Sequence, residues 1–151
     1  MMKRIVLSAA LIVGASTAAS AKHHRHHRPH HRHASMDGAH AVSTPLLKVA
    51  SRNLGGGNFT GFRGPWCAAA VGKWLHAAGY SRLSSLRAVD YRHYGRATSA
   101  HVGAIAVMPH HVGIVAGFAR GGVLLLSGNH SHRVGMSLYA MRRFIAFREP
   151  I

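Results

Sequence analysis

The chain reads as an α+β domain, with helices first and an antiparallel β-sheet after them. Three observations carry that reading. Apolar residues recur at helical spacing in two stretches before residue 80. After Thr98 the pattern changes to short apolar runs bounded by Gly, Pro or Ser, which is the signature of strands. The chain has 151 residues and is 48% hydrophobic, enough for one packed core.

Thr44-Pro45 fits an N-cap followed by proline at the first helical position. Leu46, Leu47, Val49, Ala50 and Leu54 continue it as a short amphipathic helix. The run Gly55-Gly56-Gly57 ends this helix and reads as a flexible connector. It is no phosphate loop, because no Gly-Lys-Ser/Thr follows. Trp66 to Ala78 predicts a second helix with Gly79 just past its end. Ala70, Trp74 and Ala78 share one face of it, as do Val71 and Leu75. Ser85 is placed to cap a third helix running through Tyr94 and stopped by Gly95. Strands are expected at Ala104–Met108, His111–Phe118, Gly122–Ser127, Val134–Tyr139 and Phe144–Arg148. No internal repeat is visible.

The N-terminus is expected to lie outside this domain. Lys3 and Arg4, the apolar run Ile5 to Val13 and the Ala19-Ser20-Ala21 site read as a secretory signal peptide over residues 1–21. The apolar run is too short for a membrane span of about 20 residues. Export places the protein outside the cell or in a periplasm. Residues 22–44 read as a disordered His/Arg-rich tail and linker, because they offer almost nothing apolar to bury. His23, His24, His26, His27, His30, His31 and His33 are candidate ligands for a divalent transition metal. The same segment doubles as a cationic anchor for an anionic envelope surface. Residues 45–151 form the expected catalytic domain.

Charge and cysteine usage exclude several classes. Nineteen Lys and Arg stand against three acids, a formal net charge of +16, which favours an anionic partner. Asp37, Asp90 and Glu149 are too few for the clustered carboxylates of most glycosidases and two-metal nucleases. One cysteine permits no intramolecular disulfide and no zinc site built on several thiolates. Nucleic acid is not an expected partner, since neither a basic recognition helix nor an aromatic platform is recognisable.

The single Cys67 sits at the start of the second helix, where free N–H groups and the helix dipole favour thiolate over thiol. A thiolate nucleophile needs a base, and the base needs an orienting partner. His111 opens one predicted strand, and the next strand ends at Ser127-Gly128-Asn129. A three-residue loop Ala119-Arg120-Gly121 sets His111 opposite Asn129. A two-residue loop pairs His111 with His130 and turns Asn129 to the other face. The sequence leaves the two loops open. Cys, His and Asn in this order, on a helix start and two successive strands, are the papain-like arrangement. His110 is expected on the face opposite His111.

The stretches Gly64-Pro65-Trp66-Cys67-Ala68-Ala69-Ala70-Val71-Gly72-Lys73-Trp74-Leu75, Val102–Val107, His111-Val112-Gly113-Ile114-Val115 and Ser127–Val134 together resemble the CHAP amidohydrolase/peptidase family, within the NlpC-like papain-fold cell-wall hydrolases. The resemblance runs from about Leu46 to Pro150. It implies cleavage of amide bonds in peptidoglycan, with Cys67 as nucleophile, His111 as base and Asn129 as the orienting residue, and it implies no cofactor. One departure is Ala104, where the family commonly has Asp after Gly. The rival expectation is a non-enzymatic, cationic, His-rich metal- or envelope-binding protein on the same scaffold.

Overall fold

The computed structural model describes residues 44–151. The expected signal peptide over residues 1–21 and the tail histidines His23 to His33 lie outside the described residues. Helix α1 spans Pro45–Ser51, and Thr44 caps it by accepting a hydrogen bond from the Leu47 N–H at 3.3 Å. Helix α2 spans Cys67–Ala77. Six strands follow: β1 Arg96–Ala97, β2 Ile105–Val107, β3 Val112–Ala119, β4 Gly122–His130, β5 Arg133–Ala140 and β6 Ala146–Glu149. They form one antiparallel sheet in the order β1-β6-β2-β3-β4-β5. The fold class expected from the sequence, helices packed on an antiparallel sheet, is the one observed. No helix among the described residues is long and apolar enough to cross a membrane.

Both helices pack against one face of the sheet. Leu46, Ala50, Val71, Trp74 and Leu75 meet Val112, Ile114, Leu126 and Val134 there. Each fully buried side chain of this kind contributes roughly 1.5–3 kcal/mol. The alternating residues Val115, Val123 and Leu125 build a second cluster on the other face with Ala104, Ala106, Met108 and the rings of Tyr139, Phe144 and Phe147. The β3–β4 interface joins the two clusters by strand alternation, so a slip of one residue would exchange them.

Four expectations change in detail. The segment after Ser85 is a 3-10 turn over Ala88–His93, not an α-helix. Ser85 does organise its start, giving its hydroxyl to Asp90 Oδ2 at 2.6 Å and accepting from the Arg87 N–H. Strand β1 is an unexpected addition, two exposed residues paired with Arg148 and Glu149. The glycine run is tied down where a flexible connector was expected. The Gly55 N–H donates to the Val134 carbonyl, and the Val134 N–H donates to the Gly56 carbonyl. Finally, His110 belongs to the turn before β3, because the strand starts only at Val112; it is exposed and does not follow strand alternation.

The β3–β4 hairpin combines the two loops left open by the sequence. Its turn has two residues, Arg120 and Gly121, both at positive φ (46° and 73°), and Ala119 pairs with Gly122. A bulge between Val115 and Gly117 then absorbs one residue. Beyond it, Ile114 pairs with Leu126, the offset that a three-residue loop gives. A second irregularity follows on β4 between Ser127 and His130. Asn129 sits there at φ 55°, a left-handed conformation that asparagine tolerates better than most residues.

Candidate active site

Cys67 is the first residue of α2 and is 3% exposed. No side chain caps this helix, which leaves its first N–H groups free of side-chain partners. The N–H groups of Cys67, Ala68 and Val112 point to the sulfur and favour its charged form. Burial outweighs them and pushes the thiol above its ordinary value. The expectation of a thiol activated in the resting protein is therefore corrected. The helix start and the basic composition pull toward thiolate, but desolvation of the sulfur is the larger effect.

Two supports hold the start of α2. Tyr91, fully buried, donates its hydroxyl to the Ala68 carbonyl at 3.0 Å. Trp66, the residue before Cys67, is 3% exposed and packs edge-on against Phe59 at 6.0 Å. It also sits over Gly128, where an added Cβ would come within 2.7 Å of the Trp66 ring and 2.6 Å of Ala70 Cβ. Gly128 therefore lets β4 approach the N-terminal end of α2.

Cys67 shares the helix-side cluster with Val112 and Ile114, whereas His111, one residue earlier, alternates to the other face of the sheet, where its ring lies 6.3 Å from that of Tyr139; the structure does not bring the expected Cys67–His111 pair into contact. The His111 Nε2 is 2.8 Å from Ser127 Oγ. His111 is pushed down to about 4, first by burial and then by the neighbouring His130 and Arg143. It is thus a neutral imidazole at neutral pH, able to accept a proton.

The side-chain hydrogen bond expected from Asn129 to His111 is absent among the described residues, and Ser127 occupies Nε2. The bulge explains the difference. It takes up one residue at Gly128-Asn129, so His130, not Asn129, follows Ser127 onto the face of His111. His130 Nε2 lies 3.0 Å from Ser137 Oγ on β5. Sequence reasoning missed Ser127 as a partner of His111. The signal available was position, since Ser127 lies one strand over in an apolar run; among the described residues it is the one buried polar side chain.

Two grooves of about 400 Å³ flank these residues. One runs along α2 and is lined by Phe62, Ala68, Lys73, Arg82, Leu83 and Leu86, among others. The other is lined by His111 and His110 together with Arg142 and Arg143. Among the described residues, no group of three His, Cys, Asp or Glu side chains could hold a metal ion. Gly103, at φ 91°, lies tight against the Thr44 side chain, and the following Ala104 is fully buried in the second apolar cluster.

No protein-family model matches the chain, and no curated protein matches it by sequence. Among solved structures it is similar to RipB, a peptidoglycan hydrolase of Mycobacterium tuberculosis, with a TM-score of 0.50 and 18% identity. The match covers 71% of this chain and 62% of that one, so the chain spans less than two thirds of RipB's length. This likeness concerns the fold alone, an α+β arrangement in which helices pack on one antiparallel sheet.

Proposed function

We propose that this protein is a secreted cysteine amidohydrolase or endopeptidase, of the CHAP-like kind, that cleaves amide bonds in peptidoglycan. The observation that carries the reading is the fold with Cys67 as the first residue of its packed helix α2 and His111 one residue before Val112, which lies in the same buried cluster as Cys67. Thiol and imidazole are both neutral at rest. His111 takes the thiol proton as the sulfur attacks the carbonyl, which makes a thiolate only when it is needed. The tetrahedral oxyanion is held by backbone N–H groups at the start of α2. His111 then returns the proton to the leaving amine, and water hydrolyses the thioester. No metal or cofactor takes part in this route. Ser127 orients the imidazole in place of Asn129, which the irregularity after Ser127 takes off that face. The tail histidines His23 to His33 hold the enzyme near an anionic envelope surface or a divalent transition metal.

The near-complete burial of Cys67 favours a second reading, in which the thiol is inert and the protein is a non-enzymatic envelope-binding module. Digestion of purified peptidoglycan with the parent protein and with Cys67→Ser, followed by mass analysis of the fragments, separates the two. The hydrolase reading expects new amine and carboxyl ends from the parent only, and the masses identify the bond. Identical, intact peptidoglycan in both reactions would leave the binding module standing.

A further inference from the structure

We infer that the free outer edge of β5 is a docking site for an extended acidic peptide, which adds to the six-stranded sheet as a further strand. The inference goes beyond the hydrolase reading and stands or falls without it. β5 is the last strand of the sheet, and its outer edge is met only at its start. There the Gly55 N–H donates to the Val134 C=O, and the Gly56 C=O accepts from the Val134 N–H. Main-chain groups alternate in direction along a strand, so those of Met136, Leu138 and Ala140 point outward with those of Val134. Among the described residues, none of the three has a backbone partner on that side. Their side chains share the helix-side face with Val134, and Met136 and Leu138 are 40% and 46% exposed. The opposite edge of the sheet, β1, offers only two residues.

Long exposed edges are normally blunted by charge, proline or a bulge within the strand. Here residues 134–141 contain no charge and no proline, and the pairing with β4 runs in unbroken register from Gly135 to Ala140. Cations stand at both ends of this neutral stretch. Arg133 precedes it, Arg142 and Arg143 follow it, and all three are exposed. The acids among the described residues are engaged elsewhere, Asp90 by Ser85 at 2.6 Å and Glu149 by His101 at 2.6 Å. The Arg143 guanidinium carbon stands 5.2 Å from the centroid of the Tyr139 ring, and Tyr139 alternates to the face opposite Leu138. Arg133 alternates with Val134 to that same face. A matching strand is therefore apolar at alternate positions toward the helix side, and acidic at both ends on the other side. A second copy of β5 fits worse. Antiparallel pairing about Leu138 turns Arg133 toward the second copy's Arg143, and the net charge of +16 adds repulsion. In such strand addition the main-chain hydrogen bonds supply affinity and the alternate side chains supply specificity.

The test uses the full chain and a synthetic acetylated heptapeptide amide, Asp-Val-Thr-Val-Thr-Val-Asp, beside a twin with Asn in place of both Asp. Two further versions of the acidic peptide carry N-methyl groups, one on its valines and one on its threonines. In the pairing inferred here the valine N–H groups face β5 and the threonine N–H groups face away. Calorimetry in about 0.15 M salt screens long-range attraction and leaves the local contact. The acidic peptide should bind about tenfold tighter than its twin. Methylated valines should cost at least about tenfold in affinity, and methylated threonines about twofold or less. Hydrogen exchange of the Met136, Leu138 and Ala140 amides should slow only when the peptide is present. Leu138→Pro removes an outward N–H at an edge position that tolerates proline, and should abolish binding. Equal binding of the acidic peptide and its twin, or indifference to valine methylation, would overturn the inference. So would a dimer in ultracentrifugation that protects the same three amides without peptide, because a second copy would then hold the edge. Should the proline variant unfold, the methylated peptides on the parent protein decide alone.

Discussion

Replacing Ser127 by alanine tests the least expected contact of the site. The side chain is 1% exposed, and its Oγ is 2.8 Å from His111 Nε2. Alanine fills almost the same volume, so the change removes one hydrogen bond and opens no cavity of consequence. In the resting protein His111 is neutral, and the lost bond costs about 1 kcal/mol of stability. In the transition state the imidazole carries the thiol proton, and a bond to a charged partner contributes about 1.5–3 kcal/mol. At about 1.4 kcal/mol per factor of ten, kcat should fall roughly ten- to a hundredfold. KM should change little, because the hydroxyl points to the imidazole and not to substrate. The assay is release of soluble fragments from purified peptidoglycan, with folded protein confirmed by thermal melting. Cys67→Ser and His111→Ala set the floor. A loss that reaches the floor would make Ser127 indispensable to the reaction and not merely an orienting partner. A loss under about twofold would mean that Ser127 does not orient His111, and the role would pass back to Asn129, tested by Asn129→Ala.

Four shorter predictions accompany it. His111 is pushed down to about 4 from its ordinary 6.5, so the folded state resists its protonation and the unfolded state does not. The stabilisation this gives is therefore complete above about pH 6.5 and is lost as pH falls toward about 4, by at most about 3 kcal/mol; urea melts of His111→Gln should show a flatter pH dependence across that window. Cys67, with its thiol pushed up by burial, should alkylate with iodoacetamide more slowly than a free thiol at pH 7, and a faster reaction would show that the sulfur is activated at rest. Gly128→Ala should overpack the contact with Trp66 and Ala70, costing about 1–3 kcal/mol and lowering Tm by several degrees, whereas an unchanged melt would mean that β4 retreats freely from α2. Deleting residues 22–40 should leave the melting transition of the domain in place and abolish retention on a nickel resin; loss of the transition would put the tail inside the fold.

The sequence determined the layout of this protein through local rules. Thr44-Pro45 carries its cap and its proline within two residues, and α1 starts there. The spacing of Ala70, Val71, Trp74 and Leu75 sets the buried faces of α2 without reference to anything else in the chain. The run of short apolar segments after Thr98 became β2 to β6 within a few residues of their expected ends. The helix-start position of Cys67 and the strand-start position of His111 were legible for the same reason, since each depends on a boundary that lies within a turn or two of the residue itself.

What the tertiary structure decided depends on offsets that accumulate along strands. The hairpin turn has two residues, yet one extra residue near Ala116 restores the other register farther down, and no local signal announces a bulge in an apolar run. A second bulge at Gly128-Asn129 exchanges which side chain faces His111, giving Ser127 and His130 that face where alternation pointed to Asn129. The state of the thiol was beyond sequence as well. A helix start and a basic composition both argue for thiolate, but the desolvation that prevails comes from the burial of Cys67 in the helix-side cluster, and burial is a property of the packed molecule.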